Sequence, residues 1–163
     1  MKATCPHVVG VERFGPAADG CETCLEVGGT WVHLRQCLAC GRTGCCDSSP
    51  NRHASAHVAA TGHQVVRSLE PGEDWSWCYA CERTLRREAD GTWSEVDTFF
   101  ETGLWYAQQR AGDGGTIEPG SDETTDDGFP LGLWAATYRA RRSEGAIDPE
   151  QAAALETIPG WRW

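Results

Sequence analysis

The sequence lacks several features that mark whole classes of protein. It contains no apolar run close to the roughly eighteen residues that a transmembrane helix needs, so no membrane span or membrane partner is predicted. The opening MKATCPHVVG has no long apolar core, so no signal peptide is predicted and we expect a cytoplasmic protein. The motifs HExxH, and HxE paired with PCxxC, do not occur, so the common zinc-enzyme patterns are missing.

Positive charge is also scarce. The chain has 14 basic and 24 acidic residues, which gives a formal charge of −10. This balance is the reverse of what a protein needs to neutralise the phosphates of nucleic acids. Hydrophobic residues make up 40% of the chain and eight residues are Trp, so a folded protein is predicted rather than a disordered tail.

Cysteine, by contrast, is abundant, with nine residues in the chain. Without a signal peptide this density predicts metal binding, because disulfides belong to oxidising compartments. The odd number also fits poorly with complete intramolecular pairing. All nine Cys and all five His lie between Cys5 and Cys81, so the soft metal ligands are confined to the first half.

Charge divides the chain at nearly the same place. Residues 1–90 contain nine basic and eleven acidic residues, whereas residues 91–163 contain five and thirteen, with no Lys. Between them, the polar stretch 83–91 (RTLRREADG) ends in a turn-forming Asp90-Gly91 pair, so we expect a strand edge followed by a turn. The predicted domains are 1–88 and 92–163.

The predicted secondary structure also differs between the two halves. In the first half we predict one helix at 52–62 and short strands at 31–37, 64–69 and 75–80. In the second half we predict helices at 96–110, 131–142 and 149–158. The last begins with Asp148 as a plausible N-cap and Pro149 at the first helical position, where the missing N–H costs nothing.

Three cysteine pairs have the CxxC spacing with which zinc proteins present two ligands from one tight turn. They are Cys21/Cys24, Cys37/Cys40 and Cys78/Cys81. Cys5 and His7 form a CxH pair that can do the same, and His53 and His57 share one face of the predicted helix, with His63 following. Three such pairs with interleaved His indicate zinc far more strongly than one pair would.

Two other interpretations of these cysteines remain open. The chain could simply bury its thiols and expose its histidines, or it could use a CxxC pair for redox chemistry, which needs one pair rather than three. Three four-ligand sites need twelve ligands, and Cys and His together supply fourteen, so nearly every one would be used. A catalytic zinc would keep an open position beside a carboxylate base, so closed structural sites are predicted.

The segment WVHLRQCLACGRTGCCDSSPNRHASAHVAATGHQVV, followed by WSWCYAC, resembles the ubiquitin-protease-type zinc finger, and GCCDSSPNRHA resembles its bacterial variants in particular. The family occurs in deubiquitinases and in a histone deacetylase. The resemblance implies a compact α+β module that binds up to three zinc ions. Carried over position by position, it implies three sites: Cys5, His7, Cys78 and Cys81; Cys21, Cys24, Cys45 and His53; and Cys37, Cys40, His57 and His63.

One interval departs from the family pattern. The spacing from Cys45 to His53 is one residue long, so Cys46 is a rival to Cys45 as a zinc ligand. His33 is left over by this scheme, and we expect it to be an ordinary strand residue.

The resemblance also implies a ligand. Family members that bind ubiquitin hold its free C-terminal Gly-Gly carboxylate in a slot with aromatic walls. Trp77 and Tyr79 match the family's aromatic positions, although both could simply pack against zinc ligands. The implied partner is a protein or peptide tail of the ubiquitin type.

Two departures weaken this ligand assignment. Asp47-Ser48-Ser49 replaces the family's Arg-aromatic pair, and Thr84 stands where the family has a tyrosine. Because an Asp repels a carboxylate, Arg35 or Arg52 is the predicted source of the missing positive charge.

The second half resembles the helicase-associated domain, a small three-helix module. The matching features are Gly115 before Ile117-Glu118-Pro119, GFPLGLW at 128–134, Arg141, and IPGW at 158–161. The family name implies association with nucleic acid, but phosphate neutralisation dominates such affinity, and this half is strongly acidic. Two interpretations remain: Arg139, Arg141, Arg142 and exposed aromatics such as Trp163 contact nucleic acid, or Trp105, Trp134 and Trp161 form the core and the arginines a solvated face.

The predicted fold class is thus an α+β zinc-stabilised finger followed by a small all-α domain of three helices. The predicted function is a non-enzymatic zinc-binding adaptor that grips a protein or peptide tail. The alternative is a nucleic-acid accessory protein that acts through its helical domain. An enzyme is the least favoured, because the one spare thiol, Cys46, adjoins Asp47, whose charge is expected to raise the thiol pKa.

Overall fold

The chain divides into two units, Met1–Val96 and Asp97–Trp163, in a computed structural model that describes residues 5–11, 15–115 and 117–163. An antiparallel sheet with helices forms unit 1, and helices form unit 2. The predicted fold class, an α+β finger followed by an all-α domain, is therefore confirmed. None of the described helices is both long enough and apolar enough to cross a membrane.

Unit 1 is built on a six-stranded antiparallel sheet. The strands are β1 (Leu34–Cys37), β2 (Thr43–Cys45), β3 (Val65–Ser68), β4 (Trp75–Cys78), β5 (Arg83–Arg87) and β6 (Trp93–Glu95). They lie side by side in the order β2-β1-β3-β4-β5-β6. β1, β3 and β4 occupy the three predicted strands but are shorter, because the residues at their ends turn into the loops that carry Cys and His.

The strand edge and turn predicted for residues 83–91 are present in the structure. β5 ends at Arg87, and Gly91 takes the left-handed backbone conformation of a turn, with φ 85°. The chain then forms β6, which was not predicted and which pairs with β5 inside unit 1. The sequence had placed these residues in the second domain.

The described residues of unit 1 also form two α-helices and one short 3-10 helix. α2 (His53–Thr61) confirms the helix predicted at 52–62, whereas α1 (Glu22–Val27) and the 3-10 helix Pro6–Val8 were not predicted. α2 lies close against β2 because residue 44 is a glycine. A Cβ atom at Gly44 would lie 2.8 Å from the backbone nitrogen of Ala54. This close approach carries the histidines of α2 towards the cysteines of the sheet.

Unit 2 consists of α3 (Thr98–Gly112), α4 (Leu131–Ser143) and α5 (Pro149–Glu156), which confirms the three predicted helices. Trp134 is fully buried at the centre of its core and Trp161 packs against it. The prediction that Trp105 belongs to this core is wrong, because Trp105 is 54% exposed. α3 buries Phe100, Gly103 and Ala107, so residue 105 falls on the opposite face of the helix.

Candidate metal centres and a candidate peptide-binding face

The structure brings twelve Cys and His side chains of unit 1 together in three groups of four. Within each group the ligand atoms all lie within 4.8 Å of one another. The groups are the three sets that the resemblance implied. We call them site 1 (Cys5, His7, Cys78, Cys81), site 2 (Cys21, Cys24, Cys45, His53) and site 3 (Cys37, Cys40, His57, His63).

Site 1 joins the N-terminal segment to the end of β4. The 3-10 helix that follows Cys5 places the Nδ1 of His7 3.5 Å from the Sγ of Cys78 and 3.4 Å from that of Cys81. Burial raises the pKa of the Cys78 thiol to about 12, and the thiols of Cys5 and Cys81 add to the rise. Such a thiol becomes a thiolate near neutral pH only when a cation binds beside it.

Site 2 joins α1, β2 and α2 at their ends. The Nδ1 of His53 lies 3.2 Å from the Sγ of Cys21, 3.3 Å from that of Cys24 and 3.5 Å from that of Cys45. The backbone N–H of His53 donates to the Sγ of Cys45, and the amide of Asn51 donates to the Sγ of Cys24. All three thiols are fully buried, so the site is enclosed.

Site 3 joins the turn after β1 to α2. The Gly41 N–H donates to the Cys37 carbonyl and closes that turn, and the Sγ of Cys40 lies 3.4 Å from the Nε2 of His57. α2 ends at Thr61, and its C-cap Gly62, with a φ of 75°, turns the chain back. As a result the rings of His57 and His63 lie 5.4 Å apart.

The donor sets of the three sites fit zinc. Thiolate sulfur and imidazole nitrogen are the usual ligands of structural tetrahedral zinc, and each site offers four of them. In site 3 the Nδ1 of His63 is buried and has no hydrogen-bond partner among the described residues. A buried polar atom of this kind needs a partner, and a metal ion would supply it.

Cys46 lies outside all three sites. Its Sγ lies 3.4 Å from the hydroxyl of Ser49 and 3.8 Å from the Nδ1 of His33, so the structure groups Cys45 rather than Cys46 with site 2. His33 precedes β1 and is exposed, so it is not the strand residue that was expected.

The prediction that the charge of Asp47 raises the pKa of the Cys46 thiol is wrong. Burial does raise this pKa, but hydrogen bonds from the Ser49 hydroxyl, from the backbone of His33 and Ser48, and from the His33 ring outweigh it. Together they lower the pKa to about 7. Residue spacing could not predict that His33 would lie beside Cys46, since neither residue belongs to a metal site.

One face of the sheet carries an arginine and aromatic rings. Trp75 and Trp77 alternate on β4 and so point to the same side. The guanidinium of Arg35 lies over the ring of Trp75, 4.6 Å from its centroid, and donates to the Leu34 carbonyl and the Ser68 hydroxyl. Trp75 was not among the predicted binding residues, although its alternation with Trp77 in the predicted strand was a usable signal.

The other two candidate peptide-binding residues, Tyr79 and Arg52, differ from each other in their contacts. The hydroxyl of Tyr79 donates to a carboxylate oxygen of Asp47 over 3.4 Å. Burial raises the pKa of Tyr79 to about 12, and the charge of Asp47 adds to the rise. Arg52 is exposed at the N-cap of α2, and within the described part of the chain no hydrogen bond or ion pair joins it to Arg35, Trp77 or Tyr79.

The three arginines of α4 make contacts within unit 2, although the side chains of Arg141 and Arg142 stay 41% and 48% exposed. Arg139 lies over the Trp161 ring and donates to the carbonyls of Ile117 and Arg162; Arg141 lies over the Tyr138 ring and pairs with Asp97; Arg142 lies over the Trp163 ring and pairs with Glu156. The basic face expected on this helix is thus partly solvated and partly paired with rings and carboxylates of the same unit.

Comparison with known proteins finds one family match in each half of the chain. Residues 21–90 match the family model described as "Zn-finger in ubiquitin-hydrolases and other protein", and residues 105–163 match that of the helicase associated domain. Among solved structures, the chain is similar to the NMR structure of protein RPA1320 from Rhodopseudomonas palustris, at 46% identity. That match covers 56% of this chain and 89% of the other, with a TM-score of 0.49. No curated protein matches the chain.

Proposed function

We propose that this chain, a zinc finger of the ubiquitin-hydrolase type followed by a helicase associated domain, is a non-enzymatic adaptor. Zinc holds its first unit together, and a face of that unit binds a protein or peptide tail. The observation that carries the proposal is the Arg35 guanidinium, held over Trp75 on the strand face that also presents Trp77. A fixed cation beside aromatic rings suits a small, flat, negatively charged chain end.

Three zinc ions are proposed, one for each site. Each would join segments that are distant in sequence, such as Cys5 and Cys78 in site 1. A short sheet with a small core gains much of its folding free energy from such metal links. Because thiol ligands must stay reduced for this role, we place the protein in the cytoplasm.

The specific ligand that we propose is the free C-terminal Gly-Gly carboxylate of ubiquitin or a ubiquitin-like protein. Arg35 uses one terminal nitrogen for its two described hydrogen bonds, so other N–H groups remain to receive a carboxylate. Trp77 and Tyr79 would flank the tail. The negative charge of Asp47 opposes this binding. Arg52 is the second candidate to bind the carboxylate, and fewer observations support it than support Arg35.

A titration tests this ligand. The zinc-loaded chain is titrated with a short peptide that ends in a free Gly-Gly carboxylate, with its C-terminal amide as the control, and Trp fluorescence is followed. We expect saturable binding of the free acid alone. Equal binding of the amide, or no binding of either peptide, would show that this face does not recognise a free C-terminal carboxylate.

Variants assign the binding face. Trp77→Ala and Arg35→Gln should each weaken binding about tenfold or more, as expected when a partner of a charged or aromatic contact is lost. Asp47→Asn should tighten it, because a repulsive charge is removed. Arg83→Gln is the matched control, since Arg83 pairs with Cys78 on the opposite face of the sheet and binds Glu95. An equal loss with Arg83→Gln would show that the effect is not local to this face.

We propose no enzymatic activity. Each metal site fills four positions with protein ligands, which leaves no place for a reacting water. Cys46 has a lowered pKa, yet it is only 6% exposed, so a substrate cannot approach its sulfur. Iodoacetamide should therefore leave Cys46 unmodified in the zinc-loaded protein, and rapid alkylation would reopen the case for a thiol enzyme.

A further inference from the structure

Site 3 differs from the other two sites in its surroundings. Cys5 and Cys78 of site 1 are buried in an apolar cluster with Val8, Leu38, Val65 and Leu85, and the thiols of site 2 are buried against Trp31 and Leu34. Site 3 belongs to none of the apolar clusters found among the described residues. Its Cys40 is exposed, and both its histidines are only half-buried.

An open groove leads to site 3. It has a volume of about 710 Å³, and Cys40, His57 and His63 form part of its wall, together with Pro16 and Leu38. A small solute or an approaching side chain can therefore reach the Sγ of Cys40 without any opening of the sheet. Neither of the other sites has three of its ligands on this groove.

The donor set of site 3 is also the least rich in sulfur. It offers two Cys and two His, whereas sites 1 and 2 offer three Cys and one His each. Thiolates are the softer and more strongly held ligands of zinc. Site 2 gains further hydrogen bonds to its sulfurs from the backbone of His53 and the amide of Asn51.

We propose that site 3 is an exchangeable zinc site, which takes up and releases its ion while sites 1 and 2 keep theirs. The competing ligand is a soft donor, a thiol or an imidazole, that enters from the groove. An entering thiol would displace the Sγ of Cys40 from a zinc ion held at site 3. Its proton would pass to the Cys40 thiolate, so the exchange would need no electron transfer.

Loss of zinc at site 3 is expected to release only a small part of unit 1. α2 remains held at its first residue, where His53 belongs to site 2, and near Ala54, which packs closely on Gly44. The released parts are the second half of α2 and the turn between Cys37 and Cys40. The sheet that joins β1 to β4 is expected to survive.

The inference rests on the proposed zinc occupancy and not on tail binding. The experiment therefore begins with a count of zinc in the loaded chain by elemental analysis. The protein is then mixed with EDTA, and zinc release is followed by withdrawing filtered samples over time. In parallel, N-ethylmaleimide labels the thiols that become free, and peptide mass spectrometry identifies them.

We expect one zinc ion per chain to leave about tenfold faster than the other two, because three of its four ligands line the open groove, whereas His7 is the one exposed ligand of site 1 and site 2 has none. Cys37 and Cys40 should be labelled during this fast phase and the six thiols of sites 1 and 2 after it. Release of all three ions in one phase, or earlier labelling of Cys5 or Cys81, would overturn the proposal. A starting count below three would refute the zinc scheme itself, and this inference with it.

Two variants separate exchange from misfolding. Cys40→Ser removes the exposed ligand and should leave two ions and only the slow phase. Cys81→Ser, at the second cysteine of another CxxC pair, is the matched control and should keep the fast phase. A fast phase that persists in Cys40→Ser would contradict the assignment, and the labelling order in the wild-type chain stands even if one variant fails to fold.

Discussion

At the scale of single residues, Gly103 shows how closely unit 2 is packed. A Cβ atom at this position would lie 2.2 Å from the Nε1 of Trp134, which is fully buried and donates to the Phe100 carbonyl. Gly103→Ala should lower the net free energy of unfolding by about 1–2 kcal/mol, because overpacking a core at so close an approach costs up to about 3 kcal/mol. This cost outweighs the roughly 1 kcal/mol that alanine gains over glycine inside a helix.

Gly112 provides the matched control for that substitution. It belongs to the same helix, and a Cβ there would meet nothing within 4 Å. Gly112→Ala should leave stability unchanged or raise it by up to about 1 kcal/mol, because only the helix preference of alanine acts there. Urea unfolding followed by the helical circular dichroism signal measures both variants, and equal effects would contradict the packing argument.

The candidate ligands were the most predictable residues of the molecule. CxxC spacing depends only on a tight turn, so the sequence could name pairs such as Cys21 and Cys24 without knowing the fold. The environment of Cys46 could not be predicted in this way, because His33 reaches it from a different segment. The exposure of Trp105 was missed for a similar reason: large aromatic residues are expected in a core, and only the face buried by α3 excludes this one.

At the scale of elements, Asp97 ties the three helices of unit 2 together. Its carboxylate caps α3 by accepting from the Phe100 N–H, and it also accepts from Tyr138 and Arg141 of α4 and from Gln151 of α5. Burial raises the pKa of Asp97, but these hydrogen bonds outweigh it and lower the pKa below its usual range. The unfolded chain therefore binds a proton at this group more readily than the folded one.

The pH dependence follows from that direction. A lowered pKa contributes stability that is present above the unfolded value of about 4 and is lost as the pH falls through the folded value. Asp97→Asn should destabilise unit 2 at pH 7, and the difference from the wild type should shrink towards pH 3. Thermal unfolding across this range measures it, with Asp148→Asn at the cap of α5 as the control. A difference that is constant with pH would contradict the role given to the charge.

Element length decided which parts of the fold the sequence predicted. The helices α3 and α4 run for 15 and 13 residues, enough for an apolar face to repeat. β2 and β6 have three residues each and α1 has six, so none of them completes a recognisable period. Their positions are set by tertiary contacts: β2 pairs with β1 and packs against α2, and the N-cap of α1 is Cys21 of site 2.

At the scale of the whole molecule, charge argues against nucleic acid as a partner. The chain carries a formal charge of −10, and the arginines of α4 already contact aromatic rings or carboxylates. We expect no shift of duplex DNA or of RNA in a gel at low salt, where phosphate contacts are strongest. A shift that weakens steeply with added salt would instead support an accessory role in nucleic-acid binding.

We propose that metal holds unit 1 together and that apolar packing holds unit 2. Hydrogen exchange with mass spectrometry, run before and after complete zinc removal by a strong chelator, tests this claim. The amides of β1, β3 and β4 should lose protection, whereas those of α3, α4 and α5 should keep it, because unit 2 has its own buried core around Trp134 and contains no Cys or His. A sheet that stays protected after all zinc is gone would contradict the claim.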